Sequence, residues 1–407
     1  MPLPALALTW QLVSSEAAIR YKASARVESI VRTPLLTEQV APGVHVVSDV
    51  MFAPRLESVL YTDLLEVKLT AEAQLFMRQA ALRPTFESLE SVYARADYKI
   101  RRDLTLLAVH TTTYGDFPLE NFAGAGVGGL PIDPSARVLG QSAYIYSETA
   151  AGFITTLGIK RLSVAGTLGW IVNGLLDPPV RPLRRGDAAY PQQRYPELRV
   201  QSFYGATHRD YFTMSLYGRD VSFSTGNHDS LLQFAPGIQH AFSPLVDLSV
   251  EAGGAAGRVY PRNPEEQPVN VLMPTLETTL TTPLPLGNHW PVKAKLRAKY
   301  VPYMDPLTTQ LIPRGETGVD LEWKGRRDAR ILGKLRFAHP LTPGIHRNDA
   351  EARAELEALL PLPLSRYLFV QTKGQFIWTQ HVVLATHPIV QWFTSVGLVV
   401  RYDRGRL

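Results

Sequence analysis

Pro291–Trp323 runs PVKAKLRAKYVPYMDPLTTQLIPRGETGVDLEW, and its side chains sort by parity into two chemistries. Over 291–300 one face carries Val292, Ala294, Leu296, Ala298 and Tyr300, and the other Lys293, Lys295, Arg297 and Lys299. Over 316–323 Thr317, Val319, Leu321 and Trp323 oppose Glu316, Gly318, Asp320 and Glu322. A period of two is the signature of a strand. A soluble β-sandwich also alternates, but it turns its polar face to water around an apolar core. Here the alternation recurs along almost the whole chain, and no segment supplies a separate core. The arrangement that satisfies both facts is inverted, with the apolar face to lipid and the charged face to an aqueous lumen. It predicts a transmembrane β-barrel.

The totals agree. The 407 residues could hold two or three soluble domains, yet no linker or change of texture divides them, so residues 1–407 are read as one domain. Hydrophobic residues make up 45% and mean hydropathy is −0.05, which a barrel with one polar face should give. No run of about 18 apolar residues offers a helical span. Cysteine is absent, which excludes disulfides and thiolate metal sites and suits passage through an oxidising periplasm. The pI near 9.2 invites a nucleic-acid reading. The cations lie along strands, interleaved with acids and without a stacking aromatic cluster, so no nucleic-acid partner is expected. One feature counts against export: Met1–Trp10 (MPLPALALTW) lacks the basic n-region of a secretory leader.

Parity and turn chemistry together mark eighteen strands, near 16–31, 50–62, 64–78, 86–100, 104–116, 141–156, 160–174, 195–208, 211–224, 230–242, 246–259, 270–282, 290–303, 314–324, 328–339, 349–361, 366–380 and 389–403. The connections alternate between tight turns, such as Thr207–Asp210 and Ser243–Val246, and mostly longer segments, such as 32–49, 117–140, 175–194 and 260–269. The expected fold is therefore all-β: a membrane-spanning, antiparallel up-and-down barrel with short periplasmic turns and longer extracellular loops. An even count leaves both termini periplasmic, with 1–15 as an N-terminal segment. Apolar-parity aromatics gather toward strand ends (Tyr98, Phe153, Tyr204, Phe212, Tyr300, Trp323, Phe337, Trp378, Trp392 and Tyr402), as interfacial girdles do.

The last strand carries a sharper mark. Ser395, Gly397, Val400 and Tyr402 present a polar residue, a glycine two further on, then apolar and aromatic residues three and five after that. This resembles the C-terminal assembly signal of bacterial outer-membrane channel barrels, and the resemblance implies docking to the barrel-assembly machinery. Asp403–Leu407 follow, whereas many members stop on the terminal aromatic. The third outer connection, Phe117–Gly140, is similar to the constriction loop of general porins, with Glu120, Phe122, Gly124 and Gly126 as the matching residues.

Catalytic and cofactor patterns are missing. Gly124–Gly129 fits G-x-G-x-x-G, but Leu130-Pro131-Ile132-Asp133-Pro134 forbids the helix that a phosphate cradle needs. His381 and His387 lack a carboxylate at ligand spacing, so no metal or other cofactor is expected. His240 with Ser243 and His228 with Ser230 are nominal pairs without a surrounding hydrolase motif, and no enzyme is expected.

Inward parity predicts a lumen lined by Arg20, Lys22, Arg26, Arg95, Lys99, Lys293, Lys295, Arg297, Lys299, Glu316, Asp320, Glu322, Arg330, Lys334, Arg336, Glu351, Glu355, Glu357 and Lys373. From the thirteenth to the sixteenth strand the sign alternates, which predicts cross-strand pairing. Few inward aromatics are expected (Phe203, Tyr367 and Phe369), hence no stacking track for sugars. Barrels of about 16–18 strands enclose an aqueous channel. The expectation is an outer-membrane channel for hydrophilic, charged or saccharide solutes. The alternative is the outer-membrane pore of a polysaccharide secretion system, working with a periplasmic polysaccharide-export protein.

Overall fold

The computed structural model describes residues 18–34, 42–78, 85–115, 143–157, 161–176, 178, 180–181, 191–263, 265–285, 291–305, 308–341, 349–380 and 388–404. All the described elements are strands: β1 (Ala18–Arg32), β2 (Val47–Tyr61), β3 (Leu65–Arg78), β4 (Thr85–Arg101), β5 (Leu104–Gly115), β6 (Tyr144–Leu157), β7 (Leu162–Leu175), β8 (Gln193–Gly205), β9 (Asp210–Phe223), β10 (His228–Ser243), β11 (Val246–Tyr260), β12 (Val269–Pro285), β13 (Pro291–Asp305), β14 (Gln310–Lys324), β15 (Arg330–Pro340), β16 (Ala350–Pro361), β17 (Leu368–Gln380) and β18 (Ile389–Arg404). Each pairs antiparallel with its sequence neighbours, and β1 pairs with β18 as well as β2. The sheet is closed, so every strand has a partner on both sides. That is what lets backbone amides survive in hydrocarbon.

Partners across an antiparallel ladder share a face, so one parity can be followed around the wall. Lys295 faces Asp320, Asp320 faces Lys334, Lys334 faces Glu355 and Glu355 faces Gln375. The same inward face carries the buried Met51, Phe76, Ile171 and Val221. The opposite face exposes Val27 (51%), Phe52 (43%), Leu168 (61%) and Leu398 (54%), an apolar belt turned away from the centre. The buried apolar cluster lies inside the barrel, toward the end with the longer connections; Ile30, Phe76, Tyr144, Tyr195, Phe223 and Phe393 belong to it.

At the opposite end the turns are closed by their own hydroxyls. Thr62 Oγ1 accepts from the amides of Leu64 and Leu65, Thr207 Oγ1 from those of Arg209 and Asp210, and Ser243 Oγ from those of Leu245 and Val246. These side-chain turns satisfy amides that the ladder leaves over.

The largest boundary difference is at β14, which begins at Gln310 rather than 314. Pro302 and Pro313 stand directly opposite each other. In sequence they suggest a loop, but a facing pair forfeits only its own amide donors and the strands continue past it. Beyond this point Met304 and Leu311 sit on the outward parity, yet both are buried in the internal cluster with Val221 and Leu231. The end of the β13–β14 hairpin therefore turns in over the barrel. Asn227 Nδ2 donates to Thr309 Oγ1 at 2.5 Å, tying it to the β9–β10 connection.

Candidate functional site

The inward charges between β12 and β17 form a ladder of ion pairs. Lys299 reaches Glu277 at 2.7 Å, Arg297 reaches Asp320 at 2.7 Å, and Arg336 reaches the other oxygen of Asp320 at 3.1 Å. Glu322 takes Arg330 at 2.9 Å and Lys324 at 3.4 Å. Lys334 lies 3.4 Å from Glu355, which also contacts Arg353. Arg314 bridges Glu316 at 3.5 Å and Glu351 at 3.1 Å. Glu357 accepts from Gln371 at 2.7 Å. The alternation of sign predicted for these strands is thus realised as pairing.

A second network closes the seam. Glu28 on β1 is 1% exposed. Its Oε1 lies 3.1 Å from Arg26 and 3.5 Å from Lys373, while Oε2 accepts from Ser395 at 3.0 Å. Arg26 also reaches Glu72 at 3.5 Å. One carboxylate thereby connects β1, β17 and β18. Gly397 leaves the room for it, because a Cβ there would stand 2.4 Å from Glu28 Cγ and 2.5 Å from the Val27 carbonyl oxygen. Two residues of the C-terminal sequence mark, Ser395 and Gly397, face inward at this seam. The other two, Val400 (47% exposed) and Tyr402 (44%), face outward.

On the remaining wall Arg95 holds Asp97 at 2.7 Å, and Arg199 contacts Glu197, which also accepts from Tyr217 at 2.8 Å. Arg20 lies over the Tyr61 ring at 5.5 Å. Lys22 and Lys99 share the inward face, opposite Glu57 and Thr105 respectively. Glu120, Phe122 and the rest of 117–140 lie outside the described residues, as do 1–15.

Two expectations are corrected. Inward aromatics are not few: Phe76, Tyr144, Tyr146, Tyr195 and Phe223 are inside and buried, and Tyr217 packs against their cluster. Tyr367 is not among them, since it lies in the β16–β17 turn, 6.3 Å from the ring of outward-facing Tyr402. Sequence reasoning also missed the buried Arg32–Asp49 pair, 2.6 Å apart near the longer-connection end. The two nominal His–Ser pairs are not nucleophile arrangements. His240 bonds Asp210 at 2.7 Å while Ser243 Oγ serves its turn, and His228 contacts Asp220 at 2.8 Å. Among the described residues no group of three His, Asp or Glu side chains could hold a metal ion.

The inward charges line a cavity of about 580 Å³ along one continuous arc of the wall, from β13 through β18 and across the seam to β1–β3. Its lining includes Arg26, Arg55, Lys293, Lys295, Arg330, Lys334 and Arg401 against Glu72, Asp320, Glu322 and Glu357. It lies toward the short-turn end, because Lys293 is near the start of β13 and Arg401 near the end of β18. Cations outnumber carboxylates here, so the cavity is an electropositive compartment that can concentrate small anions and hydrogen-bond polar solutes.

Comparison with known proteins finds matches among solved structures. Acinetobacter baumannii OccAB2 is 10% identical with a TM-score of 0.48, over 95% of this chain and 98% of that one. A BenF-like porin from Pseudomonas fluorescens Pf-5 is 8% identical with a TM-score of 0.47, over 95% and 98%. The outer membrane protein opdK from Pseudomonas aeruginosa is 9% identical with a TM-score of 0.45, over 94% and 99%. No family model matches, and no curated protein matches.

Proposed function

We propose that the chain is a channel of the Gram-negative outer membrane, passing small hydrophilic solutes through a charge-lined lumen without catalysis. The observation that carries this reading is the inverted barrel. A closed eighteen-strand wall exposes large apolar side chains outward and encloses a charged cavity of about 580 Å³. The outward belt makes lipid the natural solvent of the wall. The short-turn end faces the periplasm, and the residues named above as the predicted lumen lining form the path. Ser395, Gly397, Val400 and Tyr402 serve as the docking strand for the barrel-assembly machinery before the seam closes. No observation favours the polymer-export alternative. The charge ladders are mixed in sign, with most cations paired.

The test is conductance of the refolded protein in a planar bilayer, with salt gradients to read selectivity. Steady channels with selectivity for anions over cations are expected. A protein that inserts but carries no current would overturn the channel reading.

A further inference from the structure

On the inward wall from β13 to β18, three cations have no carboxylate within ion-pair distance among the described residues. Lys293 stands opposite Glu322, and Lys295 opposite Asp320. Each of those carboxylates is already engaged by two other cations: Asp320 by Arg297 and Arg336, and Glu322 by Arg330 and Lys324. On the other side, β12 offers Lys293 a proline and Lys295 a threonine, Pro283 and Thr281. Arg401 on β18 is the third. Its guanidinium lies 4.9 Å from the centre of the Phe369 ring, and it contacts no carboxylate among the described residues. All three line the same cavity.

We propose that Lys293, Lys295 and Arg401 form an anion-binding station in the short-turn half of the lumen, for small solutes carrying two or more anionic oxygens. This rests on the channel reading and names the solute class. Residues two apart on a strand project from one face roughly 6–7 Å apart, so the two ammonium groups can converge on one phosphate or be spanned by a short dicarboxylate. Arg401 enters the same cavity from another strand, with a planar fork suited to bidentate oxygen recognition. The station is a local surplus of charge. Lys299, held by Glu277 at 2.7 Å, lies higher on the same strand face and does not belong to it.

The experiment titrates the refolded full-length protein in detergent by calorimetry, with inorganic phosphate in one arm and malonate in the other. Ionic strength is held constant with chloride. Saturable binding is expected in at least one arm. Phosphate alone would assign phosphate-bearing solutes, malonate alone dicarboxylates, and both the shared chemistry. Lys293→Gln with Lys295→Gln should weaken binding about tenfold or more, and Arg401→Gln should weaken it too. Lys299→Gln should stay within about twofold, since its charge is already neutralised. Heat-modifiable gel mobility confirms that each variant is folded. Absence of binding in both arms, or an equal loss in Lys299→Gln, would overturn the station. Conductance of the same preparations separates the two readings: current without anion binding sinks only the station, and binding without current sinks only the channel.

Discussion

Replacing Glu28 by alanine tests whether the seam is held by a buried ion network or by backbone pairing alone. The Glu28 carboxylate lies within 3.5 Å of groups on Arg26, Lys373 and Ser395, and the ion-pair side chains of Glu28 and Lys373 are 0% and 3% exposed. Removing one partner of a buried pair costs about 3–5 kcal/mol, because the remaining charge keeps its desolvation penalty. Glu57 is the matched control. It contacts Arg55 at 3.5 Å and Lys68 at 3.6 Å, but those cations are 39% and 38% exposed, so Glu57→Ala should cost no more than about 1 kcal/mol. Gly397→Ala probes the same seam from the other strand. Its new methyl would meet the Val27 carbonyl, which is part of the ladder and cannot swing aside, and overpacking of this kind costs about 1–3 kcal/mol. Half of that conflict is with Glu28 Cγ itself, so the double variant should lose less than the sum. The assay is reversible urea unfolding in detergent micelles, read by the heat-modifiable gel shift and by tryptophan fluorescence. A Glu28→Ala loss no larger than that of Glu57→Ala would refute the reasoning. So would strict additivity with Gly397→Ala.

The outward face should resist charge: Leu335→Arg, at a position 56% exposed in mid-strand on β15, should destabilise by about 2–4 kcal/mol in lipid vesicles; equal tolerance of arginine at inward Thr279 and outward Leu335 would argue against a lipid-facing belt. Asp49→Ala should cost about 3–5 kcal/mol in the same unfolding assay, because it strips Arg32 of a buried ion pair at 2.6 Å, and a loss below about 1 kcal/mol would show that water reaches the site. The chain has no cysteine, so thiols introduced at Asn227 and Thr309 should be joined by a short bis-maleimide where the β13–β14 hairpin turns inward. Failure to cross-link in the folded protein would mean that this hairpin end does not rest on the β9–β10 connection.

The fold was legible because lipid imposes one rule on a whole wall, and that rule is strict where the wall is in lipid. Lys293 to Lys299 and Leu65 to Leu75 alternate cleanly because they run along the belt, short of the longer-connection end. The rule fails at the longer-connection end, and that is where sequence reasoning missed the inward aromatics. There exposed Arg194 precedes buried Tyr195, exposed Asp220 precedes buried Val221, and exposed Arg258 on the outward parity lies 4.9 Å from the Tyr260 ring. Above the apolar belt the outer surface meets headgroups and water, so the sense of the alternation reverses: polar side chains turn out and aromatic ones turn in, as in a soluble protein. A period of two survives such a reversal, so strand positions remained readable while the face assignment did not. Tyr144-Ile145-Tyr146 shows the limit, being apolar on both parities and assigned only by its register with Thr113 and Asn173. The ion ladder has the same character. Parity placed Lys293, Lys295, Arg297 and Lys299 on one face, but which of them are neutralised depends on side chains two strands away. Arg336, which shares Asp320 with Arg297, is what leaves Lys295 over. A charge surplus of this kind is a property of register summed across β12 to β15, and no single strand contains it.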